Sequence, residues 1–327
     1  MLKKYKEVFS MKRISTLVLA LVLLCACCMG ASAEGYTIGY SLKTITNDDF
    51  QLALYTAIKD AVEASGNTFV EAIAESQTGV ATQVTQIEDL INSGVDALIL
   101  NPMDSNACIT VMEKAKEAGI PVVLVDQGIE AGHEDLYVTF ISTDNFAAAK
   151  VAGEYMAEQL GGEGKVIIVR GANGSSAGDD RADGFKAGIE GSGLVLANEQ
   201  PGDWTVDVAM QATENMLQAD PDIAGIFCCS DNMIAGILQA LDNNDIDVAD
   251  LCFISFDGAK SGVDFIADGK LTGTMAQFPS KIGQTAVDVV VSVLSGEKTA
   301  DDYEPFIDAG TTVYNAGDLD GAYATAF

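Results

Sequence analysis

From residue 36 onward, apolar positions recur in two alternating rhythms. Runs of mostly apolar, often β-branched residues at 36–41, 68–74, 97–100, 121–125, 137–141, 165–170, 194–198, 225–229 and 251–255 read as strands. Between them, apolar residues fall three and four apart, as in Leu54, Ala57, Ile58, Ala61 and Val62. That spacing predicts helices over 50–64, 80–92, 106–118, 145–160, 180–190, 205–218, 232–241 and 259–268. Gly66, Gly94 and Gly119 stand just past three of these helices, where a left-handed residue ends the turn. The strands are apolar almost throughout rather than at alternate positions, so both faces are covered. The chain is therefore expected to be α/β, with parallel sheets between layers of helices.

The first 33 residues do not fit this rhythm. Met11-Lys12-Arg13 precedes an apolar core at 17–24, and Ala31-Ser32-Ala33 follows. A positive start, an apolar stretch too short to span a bilayer and a small-x-small site together predict a secretory signal over 1–33. Leu24-Cys25-Ala26-Cys27 offers a second route, lipid anchoring through Cys27. Export to the periplasm or cell envelope is expected either way. About 290 residues remain, more than one core usually holds, which suits two domains.

Composition narrows the partners. The leader carries five positive charges and one negative, so its removal takes the net charge from −30 to −34. Such a field repels nucleic acid and anionic lipid. Of seven cysteines, Cys108, Cys228, Cys229 and Cys252 lie beyond the leader among apolar neighbours, as small buried hydrophobes do. Their spacing fits no zinc pattern.

Open parallel sheets bind ligands beyond the carboxyl ends of their strands. Those positions hold Asn47, Asp126-Gln127, Asp144-Asn145, Ser230-Asp231, Phe256-Asp257 and Gln277. Short carboxylates and amides beside an aromatic suit hydroxyls and carbon–hydrogen faces, the chemistry of a sugar. Candidate catalytic motifs fail on detail. Gly161-Gly162-Glu163-Gly164-Lys165 is followed by Val166 and a strand, where a phosphate loop needs Ser or Thr and a helix. The segment 242–247 lacks the central glycine and terminal glutamate of a calcium loop. His133, the sole histidine, has no second histidine for a metal or an acid–base pair.

Six segments taken in order carry a resemblance. They are Ile99-Leu100-Asn101-Pro102-Met103-Asp104-Ser105, Ile120-Pro121-Val122-Val123-Leu124-Val125-Asp126, Ser142-Thr143-Asp144-Asn145, Arg181-Ala182-Asp183-Gly184-Phe185, Ser255-Phe256-Asp257-Gly258 and Ala276-Gln277-Phe278-Pro279. With these the chain resembles the type I periplasmic sugar-binding proteins, nearest the ribose-binding branch. The resemblance implies two similar doubly wound domains joined by three hinge crossovers near 142/143, 277/278 and 306/307. One lobe would comprise 34–142 and 278–306, the other 143–277 and 307–327. It implies no cofactor, no catalysis and a monomer that delivers a sugar or polyol to the permease and ATPase of an ABC transporter.

By motif, Asn47, Phe50, Asp126, Arg181, Trp204, Phe256, Asp257 and Gln277 fall at the family's ligand-binding positions. Phe50, Trp204 and Phe256 would stack on the ring, Arg181 would donate to sugar oxygens, and Asp126 and Asp257 would accept from paired hydroxyls. Three candidate positions depart from the ribose branch: Gln127 replaces an arginine, Ser230 an asparagine and Asp49 an aromatic. The site thus loses a cation and gains a carboxylate, which favours a neutral pentose, hexose or polyol over an anionic ligand. A sensor presenting sugar to a receptor, a repressor-type effector domain and an exported sugar enzyme are the alternatives. The export signal and acidic charge oppose the repressor.

Overall fold

The computed structural model describes residues 35–327. The expected leader over 1–33, with Cys27, lies outside those residues. The described chain forms two lobes, each around a six-stranded sheet. The first contains β1 (Thr37–Leu42), α1 (Asp49–Ala64), β2 (Thr68–Ile73), α2 (Val80–Ser93), β3 (Ala97–Leu100), α3 (Ile109–Glu117), β4 (Val122–Val125) and β5 (Phe140–Ser142). The second contains α4 (Asn145–Gln159), β6 (Gly164–Arg170), α5 (Ser176–Ile189), β7 (Leu194–Pro201), α6 (Val206–Ala219) and β8 (Gly225–Cys228). It continues through α7 (Ile234–Asn243), β9 (Cys252–Asp257), α8 (Lys260–Ala267) and β10 (Gly273–Ala276). The chain then returns through α9 (Pro279–Leu294), β11 (Phe306–Asp308), β12 (Thr312–Asn315) and α10 (Leu319–Thr325).

The strand orders are β2-β1-β3-β4-β5-β11 and β7-β6-β8-β9-β10-β12. Every pairing is parallel except the edge strand β12 against β10. The near-continuous apolar strands find their explanation here, since β3, β4, β8 and β10 are buried at every residue. In the first sheet, Ile99, Val123 and Val125 pack under α1 and α9. Their neighbours Leu98, Leu100, Val122 and Leu124 pack under α2 and α3 on the opposite face. Cys108, Cys228, Cys229 and Cys252 are buried and form no disulfide among the described residues.

The chain passes between sheets three times. It leaves the first sheet after Ser142 and the second after Ala276, and it crosses again between Asp308 and Thr312. The third crossing lies beyond the expected 306/307, because Phe306, Ile307 and Asp308 pair in parallel with Phe140, Ile141 and Ser142. Other boundaries also differ from expectation. The strand expected over 137–141 begins only at Phe140, because Glu134–Leu136 form a 3₁₀ turn before it. Helix α3 begins at Ile109 rather than 106. Helix α5 starts at Ser176, four residues earlier than its apolar spacing indicates, because Ser175 caps it by accepting from the Gly178 amide. Arg181 consequently sits in the second turn of that helix, not at its opening.

Both sheets aim their carboxyl ends at the same interlobe cleft, which is closed. Across it the Ser105 amide donates to the Gly174 carbonyl at 3.0 Å. The Gly128 amide donates to Ser176 Oγ at 2.8 Å, and Ser261 Oγ donates to Asp49 Oδ2 at 3.1 Å.

Candidate functional site

The two site carboxylates occupy equivalent places. Asp126 follows the fourth strand of the first lobe, and Asp257 ends the fourth strand of the second. Both have positive φ, 64° and 127°, which few non-glycine residues adopt. At Asp126 the Gln127 amide donates back to the Val125 carbonyl at 2.7 Å, closing a three-residue γ-turn of the rare, strained kind. Strain of this sort costs on the order of 1–3 kcal/mol and persists where the surroundings enforce it.

Those surroundings differ between the lobes. Asp126 accepts from Gln51 Nε2 at 2.8 Å and from Asn101 Nδ2 at 3.0 Å, with Lys43 Nζ 3.8 Å away. All three partners converge on Oδ2, leaving Oδ1 without a protein partner among the described residues. Asp257 is fully engaged. Its Oδ1 accepts from Arg181 Nη1 at 3.2 Å and Gln277 Nε2 at 2.8 Å. Its Oδ2 accepts from Ser230 Oγ at 2.7 Å and the Asp231 amide at 3.2 Å. A carboxylate offers about four acceptor positions, and here all four are taken. Asp257 therefore gathers the other polar groups of its lobe rather than offering free lone pairs to paired hydroxyls, the role its motif suggested.

Arg181 is held on three sides. Its Nε donates to Asn145 Oδ1 at 2.8 Å and its Nη1 to the Cys229 carbonyl at 2.7 Å. Its guanidinium carbon lies 3.9 Å from the centre of the Phe256 ring and 5.7 Å from that of Trp204. Phe256 is thus a fully buried platform behind Arg181 and does not line the cavity, contrary to the stacking role expected from the sequence. Trp204 does line it, seated on the backbone of Gly171, where a Cβ would fall 2.0 Å from the indole. A hydrogen-bond chain links the lobes through the first crossing. Ser142 Oγ donates to the Asp126 carbonyl at 2.9 Å, and Asn145 Nδ2 donates to Ser142 Oγ at 3.5 Å while its Oδ1 receives Arg181.

Between these groups lies a tight cavity of about 20 Å³ in this closed form. Of the sequence candidates, Phe50, Asp126, Gln127, Arg181, Trp204, Ser230, Asp257 and Gln277 line it. Asn47 and Asp49 do not; both are exposed, and Asp49 bonds Ser261 across the lips. The reason is local. Asp48 caps α1 by accepting from the Gln51 amide at 2.9 Å, which turns Asp48, Phe50 and Gln51 inward and Asp49 outward. Asp48 and Gln51 line the cavity along with Lys43, and none of the three was singled out from sequence. Lys43 is 4% exposed, with its ammonium 5.2 Å from the Trp204 ring centre.

The expected charge balance needs two corrections. The additional carboxylate is Asp48 rather than Asp49. A second cation is present after all, as Lys43, so the cavity holds two cations against Asp48, Asp126 and Asp257. Burial raises the carboxyl of Asp48 above its usual range. Burial likewise raises Asp257, with the Arg181 charge opposing it, and raises Asp231 behind it, where the Asp257 charge adds to the effect.

One side chain is left open. Gln127 is 1% exposed, and neither its amide nitrogen nor its oxygen has a partner among the described residues. Gln277 Oε1 is likewise unpaired. Buried polar atoms are almost always bonded, so these donors and acceptors are set for something that enters the cavity. Together with Asp126 Oδ1 they offer both donation and acceptance, which suits hydroxyl groups.

The periplasmic binding protein domain family matches residues 38–298. The ribose import binding protein RbsB of Bacillus subtilis (strain 168) is 33% identical over 292 residues, 86% of this chain and 92% of that protein. The D-allose-binding periplasmic protein of Escherichia coli (strain K12) is 28% identical over 259 residues, 76% of this chain and 82% of that one. Among solved structures, an ABC transporter solute binding protein from Agrobacterium vitis with bound D-fucose has a TM-score of 0.82 at 28% identity. That match covers 89% of this chain and all of the other.

Proposed function

The chain belongs to the periplasmic binding protein family, and from that premise we propose that it captures a neutral monosaccharide or polyol between its lobes. It then delivers the ligand to the permease of an ABC importer, which the importer's ATPase drives. It works outside the cytoplasm as a monomer, binding without turnover.

The observation that carries this reading is the open amide of Gln127, buried in a cavity that both lobes build. In this reading Gln127, Gln277 Oε1 and Asp126 Oδ1 meet hydroxyls, while Lys43 and Arg181 donate to ring or hydroxyl oxygens. Phe50 and Trp204 cover the carbon–hydrogen faces from opposite lobes. With two cations against three carboxylates, an anionic sugar is disfavoured.

Binding is coupled to closure because a ligand that touches both lobes stabilises only the closed form. Calorimetry against D-ribose, D-allose, D-galactose, D-fucose, myo-inositol and glycerol tests the reading, with small-angle scattering in parallel. At least one compound is expected to bind and to reduce the radius of gyration. Failure of the whole panel, or binding with no compaction, would overturn it.

A further inference from the structure

A second, larger space lies between the lobes, also bordered by Trp204. It measures about 380 Å³. Thr46 and Gln77 of the first lobe face Trp204, Thr205 and Asn232 of the second across it. Trp204 lines both spaces. Gln77 stands next to the first cavity's wall, donating from Nε2 to Oδ2 of Asp48 at 2.8 Å.

Two polar groups here have no partner among the described residues. Gln77 is 8% exposed and its Oε1 has no partner. The Thr205 hydroxyl is also buried and unpaired, although Thr205 is the N-cap of α6 and its side chain could have capped that helix. The first amides of α6 are thereby left as donors. Acceptor, hydroxyl and amide donors side by side are suited to hydroxyl groups. The wall carries no cation among its described residues, and Glu75 and Asp207 give it negative charge, which disfavours a phosphate or carboxylate. The backbone is also specialised at this lip, where Asn47, Asp203 and Trp204 all have positive φ.

We propose that this space is a second subsite, taking a neutral, hydroxyl-bearing extension of the ligand held in the first cavity, in the form of a second sugar ring. The proposal rests on the monosaccharide-binding reading above and widens its substrate class to glycosides. Closure over a disaccharide then places one ring in each space, both bordered by Trp204.

The test compares, by calorimetry on the purified protein, D-ribose, D-allose, D-galactose and D-glucose with disaccharides that carry the bound sugar as their non-reducing ring. The variants are Thr205→Val, which removes the hydroxyl at constant shape, and Val206→Trp, which crowds the mouth from an exposed position. A disaccharide is expected to bind at least as tightly as its monosaccharide. Thr205→Val should weaken it about fivefold, the worth of one hydrogen bond, and Val206→Trp more, with monosaccharide affinity unchanged in both. If a monosaccharide binds and every disaccharide is refused, the subsite is wrong while the primary reading stands. Disaccharide binding that neither variant weakens, or equal losses for both ligands, also overturns the subsite. If no sugar of either size binds, the primary reading falls and takes the subsite with it.

Discussion

Replacing Gln127 with methionine should close the empty protein and weaken its grip on ligand. The two side chains have similar length, but methionine brings no polar atoms into the cavity. In the closed form the amide of Gln127 is 1% exposed and unpartnered on both nitrogen and oxygen. In an open form, water reaches it. Closing without ligand therefore strips the amide of partners, at a cost of about 1–3 kcal/mol. Removing that cost should raise the closed-to-open ratio of the unliganded protein by roughly 5- to 150-fold. Ligand hydroxyls that the amide would have met are then left unpaired, so affinity should fall by a similar factor. Dyes on Thr85→Cys and Gln239→Cys, exposed on opposite lobes, would report the ratio by energy transfer, since the four native cysteines in the described residues are buried. Calorimetry would report the affinity. An unliganded ratio that is unchanged, or that moves toward the open form, would refute the argument, because it would mean that Gln127 is satisfied without ligand.

Three further outcomes are expected. Asp257→Ala should abolish measurable sugar binding in calorimetry and also cost about 3–5 kcal/mol in thermal unfolding, because Arg181 is left buried without its counter-charge; near-normal affinity would contradict the gathering role given to Asp257. Burial raises the folded carboxyls of Asp231, to about 8, and Asp257 above their unfolded values, so the folded state holds more protons and stability should fall as pH rises from about 4 toward 8. Relief of the chain's net negative charge acts in the same direction, so the check is a melting-temperature series against Asp231→Asn, which should be flatter than the parent. Trp204 should change its fluorescence on ligand binding, since its ring lines the cavity and meets Lys43 of the other lobe; constant emission through a calorimetrically verified titration would contradict that placement.

The sequence rhythm disclosed the architecture because long, fully buried strands and amphipathic helices leave a period that needs no tertiary information. The expected elements stop at residue 268, short of α9, although Ile282, Ala286, Val287 and Val290 keep a helical spacing there. Strands β11 and β12, with three and four residues and mixed burial, leave no such apolar run. The third crossing was misjudged for the same reason: only the partner β5 shows that Phe306 and Ile307 belong to the first sheet. In the site, residues directly at strand ends were legible because parallel sheets present ligands there. Lys43, Asp48 and Gln51 were not: Lys43 directly follows β1, but a lysine, a helix cap and a first-turn glutamine all look like solvent-facing side chains. Gln51 did leave a trace, lying one turn before Leu54 on the buried stripe of α1, where a polar residue is out of place. Asn47 was expected in the site both as a residue beyond a strand end and by motif, and Asp49 by motif position, but the cap at Asp48 decided their direction instead.

The γ-turn at Asp126 and the positive φ at Asp257 bear on how this binding site can diversify. A residue on such a backbone is hard to exchange, because most side chains would either relax the turn or add to its strain. Lys43, Gln51, Gln127 and Ser230 are under no such constraint, since positive φ is confined to other positions. The site thus divides into fixed posts and exchangeable fittings. Libraries that hold 126 and 257 constant and vary those four positions should retain folded, closing proteins while sampling new ligands, whereas libraries centred on the two aspartates should yield mostly unfolded chains. Drift among relatives with different sugars would be expected to follow the same division.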